Sequence, residues 1–226
     1  MPERVFDIAE QYATGGLKIL TIKVFSGEFG SYAKKLETEL LREYKKITEN
    51  VATEPQTLDD LDAIPAMDLI IGGETDKVEF KSSFIWDIER KQCSKEVRIA
   101  VMRAVSSFMN SEGGFLIIGV DDDNSPVGIG FDLEHVQNSF DTWGQTLTNA
   151  INTYLGKING AFVSIRKVKV EDKEIVILRV RKSPHPVYLK YEEGKEDFFI
   201  RSNNTSQKLG MSESTQYIQE HWKDQE

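Results

Sequence analysis

The sequence contains one cysteine, Cys93, so no disulfide can form within the chain and a multi-cysteine zinc site is excluded. Its three histidines, His135, His185 and His221, are scattered at spacings that match no metal-ligand pattern. Only 6 prolines and 16 glycines occur in 226 residues, which excludes collagen-like and low-complexity chains. No stretch approaches the ~20 consecutive apolar residues of a membrane-spanning helix. The opening MPERVFDIAE lacks the basic region and apolar run of a secretory signal, so a cytoplasmic protein with no membrane partner is expected. Positive charge is also scarce. With 28 Lys and Arg against 37 Asp and Glu, the net charge is −9. Phosphate neutralisation needs Lys and Arg, so a protein that coats nucleic acid through bulk charge is excluded, whereas a local basic groove is not. A phosphate loop is missing as well. The glycines of SEGGFLIIGV precede a strand, and no Lys-Ser or Lys-Thr follows them.

Apolar residues are plentiful. They make up 39% of the chain and include 12 Phe, 7 Tyr and 3 Trp. That is enough apolar area to offset ordering entropy, and it excludes a wholly disordered chain. The length suits one full domain with a smaller appendage. Residues 2–13 read as a short helix and 17–25 as a strand. Residues 32–51 read as an amphipathic helix with Leu36, Leu40, Tyr44 and Ile47 on one face. The acidic stretch 52–62 follows, so residues 1–62 are expected to form a helix–strand–helix appendage and linker, and 63–226 the main domain.

In the main domain KVEFK (77–81) alternates, burying Val78 and Phe80 and turning Glu79 and Lys81 to the other face. Residues 94–109 predict a helix with Ser94 as N-cap and Val97, Val101, Ala104, Val105 and Phe108 as its apolar stripe. Residues 115–120 are apolar on both faces, as in a central strand covered on both sides. A short return strand is expected at 127–131, then mostly helix over 133–155. Strands at 162–170 and 175–180 form a hairpin, a second pair occupies 187–191 and 198–201, and a helix over 212–222 closes the chain.

Few residues stand out chemically. Cys93 lies near Lys91 and Lys95, but no pattern supplies a base, and it reads as a structural or surface thiol. Asp121-Asp122-Asp123-Asn124 begins like a calcium loop but lacks the glycine and distal glutamate that such a loop requires. It does follow a buried strand, where ligand sites of α/β sheets concentrate. Glu74 and Glu79 are five residues apart, with Lys81 beside them. Buried against the core, the Glu79 and Lys81 charges would be costly. Facing a groove, carboxylates on a strand with a nearby lysine suit a Mg²⁺- or Mn²⁺-dependent nuclease, in which the metal neutralises phosphodiester charge. Solvated strand charge fits the same pattern. The late strands are the basic part: residues 160–202 carry ten Lys and Arg against seven Asp and Glu. Tyr188, Lys190 and Tyr191 interleave aromatic and positive character there, which suits RNA backbone and unstacked bases as well as a lysine-guarded strand edge.

VEFKSSF, FMNSEGGFLIIGVDDDNSPVGI, HPVYLKY and FFIRSNNTSQKL, in that order and spacing, resemble the AlbA-like domain of the Schlafen family. The resemblance runs from about Gly73 to Trp222 and is closest to the small stand-alone microbial members, which are described as binding DNA, RNA or ATP. It implies an α+β fold, a mixed and mostly antiparallel sheet with flanking helices. In some members two glutamates five apart and an aspartate after the GG strand form a metal-dependent endoribonuclease site acting on structured RNA such as tRNA. The positions that match are Glu74, Glu79 and Asp122 as ligands of Mg²⁺ or Mn²⁺, with Asp121 as rival for the third, and Lys81 as the lysine of that strand. Arg201 resembles a late basic position expected at a phosphate. Asn203 stands where the family often has glycine; asparagine tolerates the left-handed backbone such a turn needs. Nucleic-acid contacts are thus expected from Lys81, Tyr188, Lys190 and Arg201. Nuclease members clamp RNA between two such lobes, so a single-lobed chain implies a homodimer. The alternative function is a non-catalytic DNA- or RNA-binding module in regulation or defence, with ATP binding a distant third.

Overall fold

The computed structural model describes residues 64–223. The appendage and linker expected over 1–62 lie outside the described residues. In chain order the elements are α1 (Ala66–Gly72), β1 (Val78–Lys81), β2 (Trp86–Asp87), β3 (Gln92–Cys93), α2 (Lys95–Met109) and β4 (Gly114–Ile118). Then come α3 (Gly130–Glu134), α4 (Phe140–Tyr154), a 3₁₀ turn (Lys157–Phe162), β5 (Val163–Val170) and β6 (Lys173–Val180). The chain continues through β7 (Tyr188–Glu192), β8 (Lys195–Ser202), β9 (Thr205–Leu209) and α5 (Met211–His221).

The main sheet has the order β1-β4-β6-β5. β1 and β4 run parallel, with Lys81 opposite Ile118, and the α2 crossover joins them. The other pairings are antiparallel. This is the mixed, mostly antiparallel α+β architecture expected. The central strands are covered on both faces. Leu116, Ile118, Val176, Leu178 and Val180 pack with α2 and α4, around the fully buried Trp143. Phe115, Ile117, Ile175 and Ile177 face the other way, with Val78, Phe80 and α1.

A second sheet, β7-β8-β9, lies along α2. The buried Asn110 at the end of α2 fastens it. Its Nδ2 donates to Val187 O (2.8 Å) and Phe199 O (2.9 Å), and its Oδ1 accepts from Val187 N (2.8 Å). The Tyr217 hydroxyl of α5 donates to Asn110 O (2.8 Å), so one residue ties helix, sheet and closing helix together. Ser94 caps α2 as expected, accepting from Val97 N. Asn203 adopts φ 51° in the two-residue turn from β8 to β9, so the turn survives without glycine.

Some expectations are corrected. Residues 127–131 form no strand. At Gly128 the backbone has φ 79°, and Val127 N and Gly128 N both donate to Gly119 O, which curls the chain into α3. The helix expected over 133–155 is broken after Glu134, where Gln137 and Asn138 take positive φ. Helix α1, the β2–β3 ribbon and the mostly exposed β9 were not foreseen. TSQKL offers no apolar face from which to read a strand.

Gly114 opens β4 where the backbone meets the ring of Phe108. A Cβ there would lie 2.4 Å from the Phe108 ring and 2.6 Å from Lys77 O. Gly114→Ala is expected to destabilise the domain by about 1–3 kcal/mol or more through overpacking, read from urea unfolding midpoints.

Candidate functional site

The site builds outward from the free edge of β1. Residues 73–76 fold back along that edge and satisfy its backbone. Glu74 Oε1 accepts from Phe80 N (2.8 Å), Thr75 N donates to Val78 O (2.9 Å), and Thr75 Oγ1 accepts from Val78 N (3.1 Å). Glu79 faces the α2 side of the sheet, opposite Leu116, and only 9% of it is exposed. Burying a lone carboxylate there would be prohibitive, and two cations resolve the cost. Lys81 Nζ pairs with Oε1 at 2.6 Å, and the Arg201 guanidinium of β8 pairs with Oε2. Arg201 also donates to Thr75 O (2.7 Å) and Val78 O (3.0 Å), and its guanidinium lies 4.9 Å from the centroid of Phe108. Ser111 Oγ accepts from its backbone N (2.9 Å).

Arg201 was expected at a phosphate, and the geometry corrects this. Its side chain is 2% exposed and its donors face inward, so it positions Glu79 and joins the two sheets. Lys81 keeps contact with solvent at 27% side-chain exposure, held by Glu79 and by Phe80 O (2.7 Å).

The segments carrying the expected carboxylates are neighbours. Gly119 N donates to Lys81 O (2.7 Å), and a Cβ on Gly73 would lie 3.6 Å from Asn124 Nδ2. Asp121 spends its carboxylate on the turn, accepting from Asp123 N (3.1 Å) and Ser125 N (2.8 Å). Asp122 is exposed beside it. Among the described residues, however, no three His, Cys, Asp or Glu side chains gather as a metal ion would require. A hard divalent cation takes several oxygen ligands, and both Glu79 oxygens already serve cations. As arranged, the side chains do not fit a metal.

Past Lys81 the chain turns through Ser82–Ile85 around Asp132, a residue that the sequence reading passed over. It is 1% exposed. Oδ1 accepts from Ile85 N and Trp86 N (3.0 Å each) and from the Ser83 hydroxyl; Oδ2 accepts from Phe84 N (2.9 Å) and Trp143 Nε1 (3.1 Å). This loop borders an open cleft of about 230 Å³ that includes Lys81, Trp86, Val97 and Ala100.

Tyr188 and Lys190 lie apart from this corner, on β7. Lys190 pairs with Glu196 (2.6 Å), and the Tyr188 ring lies against Phe198. Nearby, burial pushes the Asp197 carboxyl up, but hydrogen bonds from Lys208 and Tyr191 outweigh it and hold the group below its ordinary range. The bond to Asp197 raises the Tyr191 hydroxyl in turn. Charge on this strand face is thus largely paired.

A layered α+β domain with a buried Glu–Arg pair beneath an edge strand defines the class. A family model described as Schlafen, AlbA_2 matches residues 74–210, and the chain belongs to that family. No curated protein matches it. Among solved structures it is similar to the DIP2311 protein from Corynebacterium diphtheriae, at 17% identity and a TM-score of 0.44, over 64% of this chain and 24% of that one. It is also similar to the N-terminal domain of a putative ATP-dependent DNA helicase RecG-related protein from Nitrosomonas europaea, at 20% identity and a TM-score of 0.42, over 66% of this chain and 94% of that one. Among the described residues no helix is long and apolar enough to cross a membrane.

Breaking the buried pair from the Arg201 side leaves Glu79 with only Lys81 on its other oxygen. Arg201→Met is expected to cost about 3–5 kcal/mol in urea unfolding, and Glu79→Leu combined with Arg201→Met to recover most of that loss.

Proposed function

We propose that this chain binds nucleic acid, RNA foremost, at the corner where β1 and β4 end. The observation that supports this reading most is Lys81. Its ammonium is anchored by Glu79 beside an open cleft, in a chain whose family is tied to nucleic acid. Phosphate contacts from such a lysine position a strand without reading its sequence. Lys190 and Tyr188 on β7 are a further contact surface, subject to release of Lys190 from Glu196.

Metal-dependent cleavage of tRNA-like RNA is the second reading. One observation favours it, the adjacency of the segments bearing Glu74, Glu79 and Asp122. Because the side chains do not fit Mg²⁺ or Mn²⁺ as arranged, non-catalytic binding is the reading better supported. ATP binding finds no phosphate loop to use.

Fluorescence anisotropy with a labelled tRNA pool in EDTA, and gel analysis of the same RNA with Mn²⁺, test both readings. Binding in EDTA is expected, and Lys81→Ala should weaken it and shrink the slope of log K against log salt by about 1. No binding to any RNA or DNA defeats the proposal. Mn²⁺-dependent cleavage that disappears in Asp122→Asn selects the nuclease. Cleavage absent in every lane selects the binding module.

A homodimer is the proposed assembly, since two lobes together would enclose a structured RNA. Light scattering is expected to give twice the 25.7 kDa chain mass, and a monomer throughout the micromolar range removes the dimer.

A further inference from the structure

Trp86 is held more firmly than a partly exposed tryptophan needs to be. Its backbone N donates to both Asp132 Oδ1 (3.0 Å) and Ser83 Oγ (2.8 Å). Its indole stacks on His135, with centroids 4.3 Å apart and planes inclined by 29°. His135 is fixed in turn. Its Nδ1 lies 2.8 Å from Phe131 O, and a carbonyl only accepts, so Nδ1 carries the proton. Backbone and ring are therefore both held, and Trp86 forms part of the cleft wall.

The other walls suit a flat, neutral guest. Val97 and Ala100 of α2 supply an apolar side, and Lys81 stands at the β1 end. At about 230 Å³ the cleft is smaller than the roughly 300–1,000 Å³ of pockets that enclose whole drug-sized ligands, so it has room for one planar ring system. Asp87 and Glu89 also border it. Their charge disfavours a phosphate inside the cleft and leaves the phosphate to Lys81. A tryptophan held in place, a single-ring volume and one lysine in the lining at the end away from Asp87 and Glu89 together describe a nucleobase with its own phosphate.

We propose that this cleft is a nucleobase pocket, taking one unpaired base of an RNA or DNA strand against Trp86 with the adjoining phosphate on Lys81. The inference rests on the nucleic-acid reading above and deepens it, because a base enters only when it is free of its own stack. Single strands, loops and bulges are then ligands for this corner, and continuous duplex is not.

The test uses the full chain with RNA oligonucleotides carrying 2-aminopurine and an end label, so that stacking and binding are read separately. Wild type is expected to quench 2-aminopurine in an unpaired strand and not in a duplex. Trp86→Phe keeps a stacking face and should retain the quench. Trp86→Ala should abolish it and weaken binding roughly 5- to 140-fold, the measured range for losing one stacked base. Ala100→Met fills the cleft while keeping Trp86 in the sequence and should also abolish the quench, which covers the case of Trp86→Ala failing to fold by circular dichroism. Label anisotropy that reports binding while 2-aminopurine stays unquenched at every position overturns the pocket and leaves the nucleic-acid reading standing. A folded Trp86→Ala or Ala100→Met variant that binds and quenches as wild type does the same. No anisotropy change with any RNA or DNA overturns both.

Discussion

A carboxylate inside a protein must be answered, and the corner of this domain is arranged around the answer to Glu79. Alternation along β1 commits the residue to the covered face as soon as Val78 and Phe80 take the other. Arg201 then has to come from β8, and it brings the second sheet with it. The same guanidinium caps Thr75 O and Val78 O, so the edge of β1 is closed by a residue of another sheet. Lys81 takes the remaining Glu79 oxygen and thereby has a fixed position at the surface. Removing Glu79 would leave the buried guanidinium without a counter-charge, and removing Arg201 would leave Glu79 Oε2 unanswered with Lys81 on the other oxygen alone; either loss costs more than the pair itself is favourable.

Asp132 and Asn110 answer the same demand for backbone groups that no helix or sheet satisfies. The loop after β1 turns too sharply for a ladder, and one buried carboxylate collects three of its amides, a hydroxyl and an indole. Asn110 offers donor and acceptor together and so serves both β7 and β8 from the end of α2. Between them these two residues decide where the cleft wall and the second sheet stand. Neither touches a surface where a ligand would be sought.

What was legible in the sequence was local. The doubly apolar run at 115–120, of which 115–118 lie in β4, the Ser94 cap and the β5–β6 hairpin follow from neighbours in the chain. The nearness of the Glu74, Glu79 and Asp122 segments came from the family resemblance. What the sequence withheld was long-range. Glu79 read from its pattern as a solvated charge, with a groove-facing one as alternative, because its partner lies on a distant strand. Arg201 looked like a surface cation for the same reason, and nothing adjacent to Asp132 marks it as a buried acceptor. The strand expected at 127–131 failed at Gly128, whose positive φ no apolar alternation reveals.

The separation of 122 residues between Glu79 and Arg201 has a consequence in time. At a synthesis rate of about 5–20 residues per second, Arg201 leaves the ribosome roughly 6–25 s after Glu79. Through that interval Glu79 has Lys81 as its neighbouring cation but lacks the guanidinium that answers its second oxygen. The closure of the β1 edge by Arg201, through Thr75 O and Val78 O, is therefore missing on a nascent chain that stops short of β8. The junction that Arg201 makes between the two sheets forms only once β8 has been synthesised.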